Sequence, residues 1–225
     1  MKIKICGLMR EDDVRLLGRL HADVAGFVTE YPARVPWNLK RDEAARLIAA
    51  APRGLKTCVV TGGDREKIVG LISALRPDFV QLHYKETLED TMHIVRALSP
   101  LGTGVIKTMP FSRGERLRQF GTDDIRECAR LLSDAGVYAI LCDPRAPENA
   151  AGRSLPADFS LYEAIKDESR VPVILAGGIT SENIGEIAKK YDPFMADIMT
   201  GAEMSPGVKD ELKLREILKF GARIN

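Results

Sequence analysis

The sequence is short of cysteine and of net charge, and each shortage excludes a class of protein. Its four cysteines, Cys6, Cys58, Cys128 and Cys142, form no C-x-x-C pair and no metal-ligand spacing. That argues against a disulfide framework or a zinc module, and all four are expected to be free thiols in a reducing compartment. A net charge of +1 gives no bulk attraction for nucleic acid. No apolar run approaches the roughly 18 residues of a membrane span. The opening MKIKICG lacks the apolar h-region of a secretory signal. No G-x-G-x-x-G or P-loop accompanies a strand end, so dinucleotide and nucleotide loops are missing. The expectation is a cytoplasmic protein without metal or cofactor, bound to neither nucleic acid nor membrane.

What is present is repetition. Short apolar runs rich in β-branched residues recur at 2–6, 24–28, 56–60, 79–83, 104–108, 138–142, 171–175 and 195–199, each followed by an amphipathic stretch. The runs read as continuously apolar, the pattern of strands buried on both faces of a parallel sheet. Helices are predicted from about Glu11, Lys40, Asp64, Thr87 and Thr122, and over FSLYEAI, SENIGEIAKK and KDELKLREIL, with Asp64, Thr122, Thr180 and Ser181 as candidate caps. Long loops are predicted after the fifth and sixth strands. Eight right-handed strand–helix units close most economically into one α/β domain over 1–225, a (β/α)8 barrel, with an open doubly wound sheet as the alternative.

In such a barrel the active site lies where the strands end. LAGGIT and IMTGAE end strands seven and eight, and their glycines suit close approach of backbone amides to an anion, or simply tight turns. Asp143 ends strand six and Cys6 ends strand one, which makes them an acid and a base facing across one ligand, or a loop aspartate and a core cysteine. Cys58 and Cys142 read as core. A working thiol needs help to ionise, and Arg10, Arg34 and Lys107 are the cations expected at the mouth. Arg34 suits a planar carboxylate, and His83 suits a hydrogen bond to substrate; a solvated arginine and a structural histidine fit the same positions. Trp37 reads as a wedge between its loop and the barrel.

The segments KICGLMREDD, GFVTEYPARV, FVQLHYKE, ILCDP, LAGGITSENI and ADIMTGAEMSPGVKD, in this order, resemble the phosphoribosylanthranilate isomerase family over nearly the whole chain. The resemblance implies a (β/α)8 fold and an Amadori rearrangement of an N-linked ribosyl 5-phosphate amine in tryptophan biosynthesis, without cofactor or metal. By the same resemblance Cys6 is the general base, Asp143 the general acid and Arg34 the carboxylate ligand. Gly177, Gly178, Gly201 and Ala202 would offer amides to the phosphate. The implied partner is a small phosphorylated substrate, and the chain would act as a monomer or homodimer. The chain departs from the family pattern in PENAAGRSLPADFS after strand six, which keeps Gly152, in Tyr84 of QLHY, and in Met199 and Thr200 of IMTGAE.

Overall fold

A computed structural model describes residues 1–144 and 156–221. The eight predicted strands form as β1 (Lys2–Ile5), β2 (Val24–Val28), β3 (Lys56–Thr61), β4 (Phe79–Leu82), β5 (Gly104–Met109), β6 (Ala139–Cys142), β7 (Val173–Ala176) and β8 (Met195–Ile198). They pair in parallel, in chain order, into a closed barrel. The ring shuts where β1 lies beside β8, with Lys4 opposite Asp197 and Ile5 opposite Ile198. Closure leaves no sheet edge and rules out the open doubly wound alternative.

Side-chain alternation along each strand splits the apolar residues into two layers. One face of each strand meets the helices, and this outer layer holds most of the core, including Ile3, Phe27, Val80 and Ile140. The other face fills the barrel interior with Val24, Cys58, Ile106, Leu141, Ile174 and Met195. Cys142 belongs to the outer layer and Cys58 to the inner one, both buried as expected.

The surrounding helices are α1 (Glu11–Arg19), α2 (Arg41–Ala49), α3 (Arg65–Leu75), α4 (Leu88–Leu98), α5 (Arg113–Phe120), α6 (Ile125–Asp134), α7 (Phe159–Glu168), α8 (Ile184–Tyr191) and α9 (Glu211–Leu218). Asp64 caps α3 by accepting from Lys67 N–H, and Thr87 with Asp90 forms a capping box on α4. Two predicted caps are displaced. Asp124, not Thr122, caps α6, because its carboxylate reaches two amides while Thr122 Oγ1 accepts from Asp124 N–H in the turn before it. Thr180 likewise makes a turn, accepting from Glu182 N–H, and α8 begins after Asn183.

Helix α5 occupies the stretch after β5 that was expected to be loop. Its RGERLRQF sequence has too few apolar residues to show a helical stripe, yet Ser112 caps its start and Gly121, at φ +78°, ends it. Arg116 then ties α5 down by donating to the carbonyls of Pro110, Phe111 and Asp123. After β8, a turn at Thr200–Ala202 leads into a small hairpin, β9 (Glu203–Ser205) and β10 (Val208–Lys209), too short to announce itself in the sequence. The segment 145–155, which contains Gly152 and most of the altered loop after strand six, lies outside the described residues.

Candidate active site

A cavity opens at the C-terminal mouth of the barrel, lined by Cys6, Tyr31, Trp37, His83, Asp143 and Asp197, with Gln81 and apolar side chains between them. The fold thus brings Cys6 and Asp143, 137 positions apart, to one pocket.

Cys6 continues β1 by donating its N–H to Ile198 O at 2.8 Å, and its side chain sits among Val28, Trp37 and Val60. Gly7 follows at φ +72°, a left-handed conformation that turns the chain away. A Cβ there would lie 3.1 Å from the Trp37 ring and 3.2 Å from Met199, so glycine is needed on two counts. Burial pushes the Cys6 thiol pKa up, against the pull of Lys4. Burial also raises Cys58 and Cys142, each to about 12, as befits inert core thiols.

Asp143 is buried, with Oδ2 4.0 Å from His83 Nε2. His83 Nδ1 lies 3.0 Å from Thr108 Oγ1 and 3.3 Å from Gln81 Nε2. Gln81 and Thr108 thus hold the Nδ1 edge of the ring, and its Nε2 edge faces Asp143. The Tyr31 hydroxyl donates to the His83 carbonyl at 2.7 Å, tying the loop after β2 to the end of β4.

The cations expected at the mouth are elsewhere. Lys107 is fully buried on the outer face of β5, where its neighbours Ile106 and Thr108 take the inner one, and it pairs with Glu86 at 3.0 Å. Arg10 is exposed beside Asp12. Arg34 is exposed and does not line the cavity. Its loop is pinned by Asn38, which accepts from Tyr31 N–H and donates to Tyr31 O, and by Trp37 Nε1 donating to Glu203 Oε1. Those bonds turn Tyr31 and Trp37 inward and leave Arg34 on the outside. Trp37 is therefore cavity wall as well as wedge.

Two glycine loops meet beside this pocket. Gly177 and Gly178 adopt φ +100° and +56°, and a Cβ on Gly201 would fall 1.9 Å from Ile179 O, so the turns after β7 and β8 are in direct backbone contact. The Ala202 N–H donates to Met199 O at 3.2 Å and is engaged within its own turn, unlike the anion-facing amide expected of it.

Three further charged residues, Lys4, Asp197 and Lys209, surround Cys6. Lys4 Nζ meets Asp197 Oδ2 at 2.7 Å inside the barrel, and Lys209 Nζ meets the Cys6 carbonyl at 2.6 Å. The signal available for the first two was a charged residue on the inward register of a strand, Lys4 in KIKIC and Asp197 in MADIM. Among the described residues no three His, Cys, Asp or Glu side chains are grouped to hold a metal, and no helix is long and apolar enough to cross a membrane.

Comparison with known proteins fits this arrangement. The family model described as "N-(5'phosphoribosyl)anthranilate (PRA) isomerase" matches residues 3–220. The chain belongs to this family. A PRA isomerase relative, N-(5'-phosphoribosyl)anthranilate isomerase 1 of Methanosarcina mazei, is 31% identical over 222 residues, covering 97% of this chain and 93% of the relative. The crystal structure of phosphoribosyl anthranilate isomerase from Thermotoga maritima superposes with a TM-score of 0.78 at 26% identity, over 98% of both chains. A further PRA isomerase structure, solved in complex with reduced 1-(o-carboxyphenylamino)-1-deoxyribulose 5-phosphate, gives a TM-score of 0.76 at 25% identity, again over 98% of both.

Proposed function

We propose that this protein is an N-(5'-phosphoribosyl)anthranilate isomerase of tryptophan biosynthesis, with Asp143 as general acid and Cys6 as general base. The observation that carries the assignment is the convergence of those two side chains, from β6 and β1, on one cavity beside the paired glycine turns. The Asp143 carboxyl gives its proton to the ribose ring oxygen as the bond from C1 to that oxygen breaks, leaving an open-chain Schiff base. Cys6 as thiolate removes the proton from C2, the electron pair of that bond moves to neutralise the protonated imine nitrogen, and the resulting enol-amine takes a proton at C1 and releases its C2 hydroxyl proton to give the amino-ketose. Proton transfers assist each step, the ring opening included, and the net change is an isomerisation that calls for no external electron acceptor.

His83, whose Nε2 faces Asp143, orients that carboxyl and the substrate hydroxyls near it. The amides of Gly177, Gly178 and Gly201 hold the phosphate. The anthranilate ring lies along Trp37 and Tyr31, with its carboxylate toward the loop that carries Arg34. The protein works in the cytoplasm as a monomer or homodimer on this small substrate, without nucleic acid or membrane.

Complementation of a tryptophan auxotroph lacking this step, together with the fluorescence change of substrate mixed with purified protein, tests the assignment. Growth and a fluorescence change are expected; absence of both refutes it. Cys6→Ser and Asp143→Asn should each lower kcat by about two to four orders of magnitude while a product analogue still binds. Near-normal turnover in either variant removes that residue from its role.

A further inference from the structure

A buried thiol is a poor base, and the structure supplies its remedy at two places. Lys4 lies two residues before Cys6 on the same inward face of β1, fully buried, with Nζ 2.7 Å from Asp197 Oδ2. Around it the barrel interior is filled with small and aliphatic side chains. An ion pair in such a place is often no more stable than an apolar isostere, so stability alone does not account for it. Lys209 approaches from the other side, out of the hairpin after β8. Its ammonium donates to Cys6 O at 2.6 Å, Glu203 Oε1 at 3.0 Å and Met199 O at 3.3 Å, using all three N–H groups.

We infer that Lys4, beneath the thiol, and Lys209, behind its backbone, are positioning residues that hold Cys6 at the cavity and hold its thiolate charge. The inference rests on Cys6 being the base and names what makes it one. Burial is the largest influence on Lys4 and lowers its proton affinity, but Asp197 overrides it and keeps the ammonium charged. The other groups facing this corner are Asp197 from β8, Cys58 from β3, Glu203 and Asp13 around Lys209, and His83 with Asp143 across the cavity. Asp197, the nearest carboxylate, opposes the thiolate; the two ammoniums favour it.

The test is the pH dependence of Cys6 alkylation by iodoacetamide in the full-length protein, followed by mass spectrometry of the Cys6 peptide. The other three cysteines are buried away from the cavity, so the Cys6 peptide reports one site. Lys4→Met and Lys209→Met should move the midpoint to higher pH, with alkylation at neutral pH slowed about tenfold for a shift of about one unit. Lys209→Arg should keep the wild-type midpoint. Should Lys4→Met fail to fold, Lys4→Gln keeps a donor for Asp197 without the charge, and its midpoint should also rise. Folded Met variants with the wild-type midpoint overturn the inference, as does a folded Lys4→Gln with that midpoint. The readout needs no substrate, so a shifted midpoint in a protein without isomerase activity would sink the proposed function and leave this inference standing.

Discussion

Trp37 Nε1 donates to Glu203 Oε1 at 2.8 Å, joining the loop after β2 to the hairpin after β8 across 166 positions of chain. The same oxygen accepts from Gly207 N–H at 3.1 Å and from Lys209 Nζ at 3.0 Å. One carboxylate oxygen therefore fixes a wall of the cavity to the lysine that grips the Cys6 carbonyl.

Trp37→Phe keeps an aromatic wall and removes one of those three donors. Because Glu203 retains the other two, the stability loss should be about 1 kcal/mol, the net worth of one hydrogen bond. The loosened wall should raise KM several-fold and change kcat less. Thermal unfolding and steady-state kinetics on the same preparation check this, and an unaltered KM would show that the indole bond does not shape the site.

Gly26 sits on β2 directly beside the proposed base. A Cβ there would lie 2.9 Å from Cys6 Sγ and 3.1 Å from Cys6 Cα. Gly26→Ala should cost about 1–3 kcal/mol, as overpacked interiors do, because the backbone and the buried side chain of Cys6 both stand in the way. The displaced thiol should lower kcat by tenfold or more, since a 1 Å misplacement near the chemistry is enough for about a hundredfold. A variant that loses stability but keeps kcat would place the strain away from Sγ.

The barrel was legible because each β-branched run and each following amphipathic stretch repeats one local pattern, and eight repeats leave few ways to close. Val24–Val28 could be read to the residue, since its run is bounded by Asp23 on one side and polar Thr29 on the other. The convergence of Cys6 and Asp143 on one cavity was legible from their positions at strand ends, where alternation fixes which side chain faces inward. Lys107 was misplaced by that same rule applied loosely: Thr108, one residue on, is the inward one. The direction of Arg34 was beyond the sequence, because it depends on the bonds of Asn38 and Trp37 to residues not adjacent in the pattern. So was the Lys209 contact with Cys6 O, which joins positions 203 apart through a hairpin whose two strands hold five residues.

Gly201 marks where the two glycine turns touch. An added Cβ would stand 1.9 Å from Ile179 O and 2.9 Å from Ile179 C, both backbone atoms that no side-chain rotation relieves. Gly201→Ala should therefore separate the turns, weaken binding of inorganic phosphate by tenfold or more and lower the Tm by several degrees for a cost of about 2 kcal/mol. Calorimetric titration with phosphate reads the first effect. Unchanged phosphate affinity would take the anion away from these turns.

At the opposite end of the barrel, Asp78 gives a pH dependence whose sign can be worked out. Burial raises its pKa, but Lys56 Nζ at 2.7 Å, Thr57 N–H at 2.8 Å and the Thr57 hydroxyl at 3.1 Å all donate to the carboxylate and outweigh burial, so the folded value lies below the ordinary 3.8. A group depressed on folding stabilises the native state above its unfolded pKa and loses that contribution as pH falls through the folded value. Asp78→Asn should thus be less stable than the parent at pH 7, with the gap closing below about pH 4, near the unfolded aspartate value. Urea midpoints at pH 7, 4 and 3 measure it. A gap that stays constant over that range would mean that the carboxylate charge contributes nothing and that the Thr57 bonds, available to an amide as well, hold the bottom of β3 to β4 by themselves.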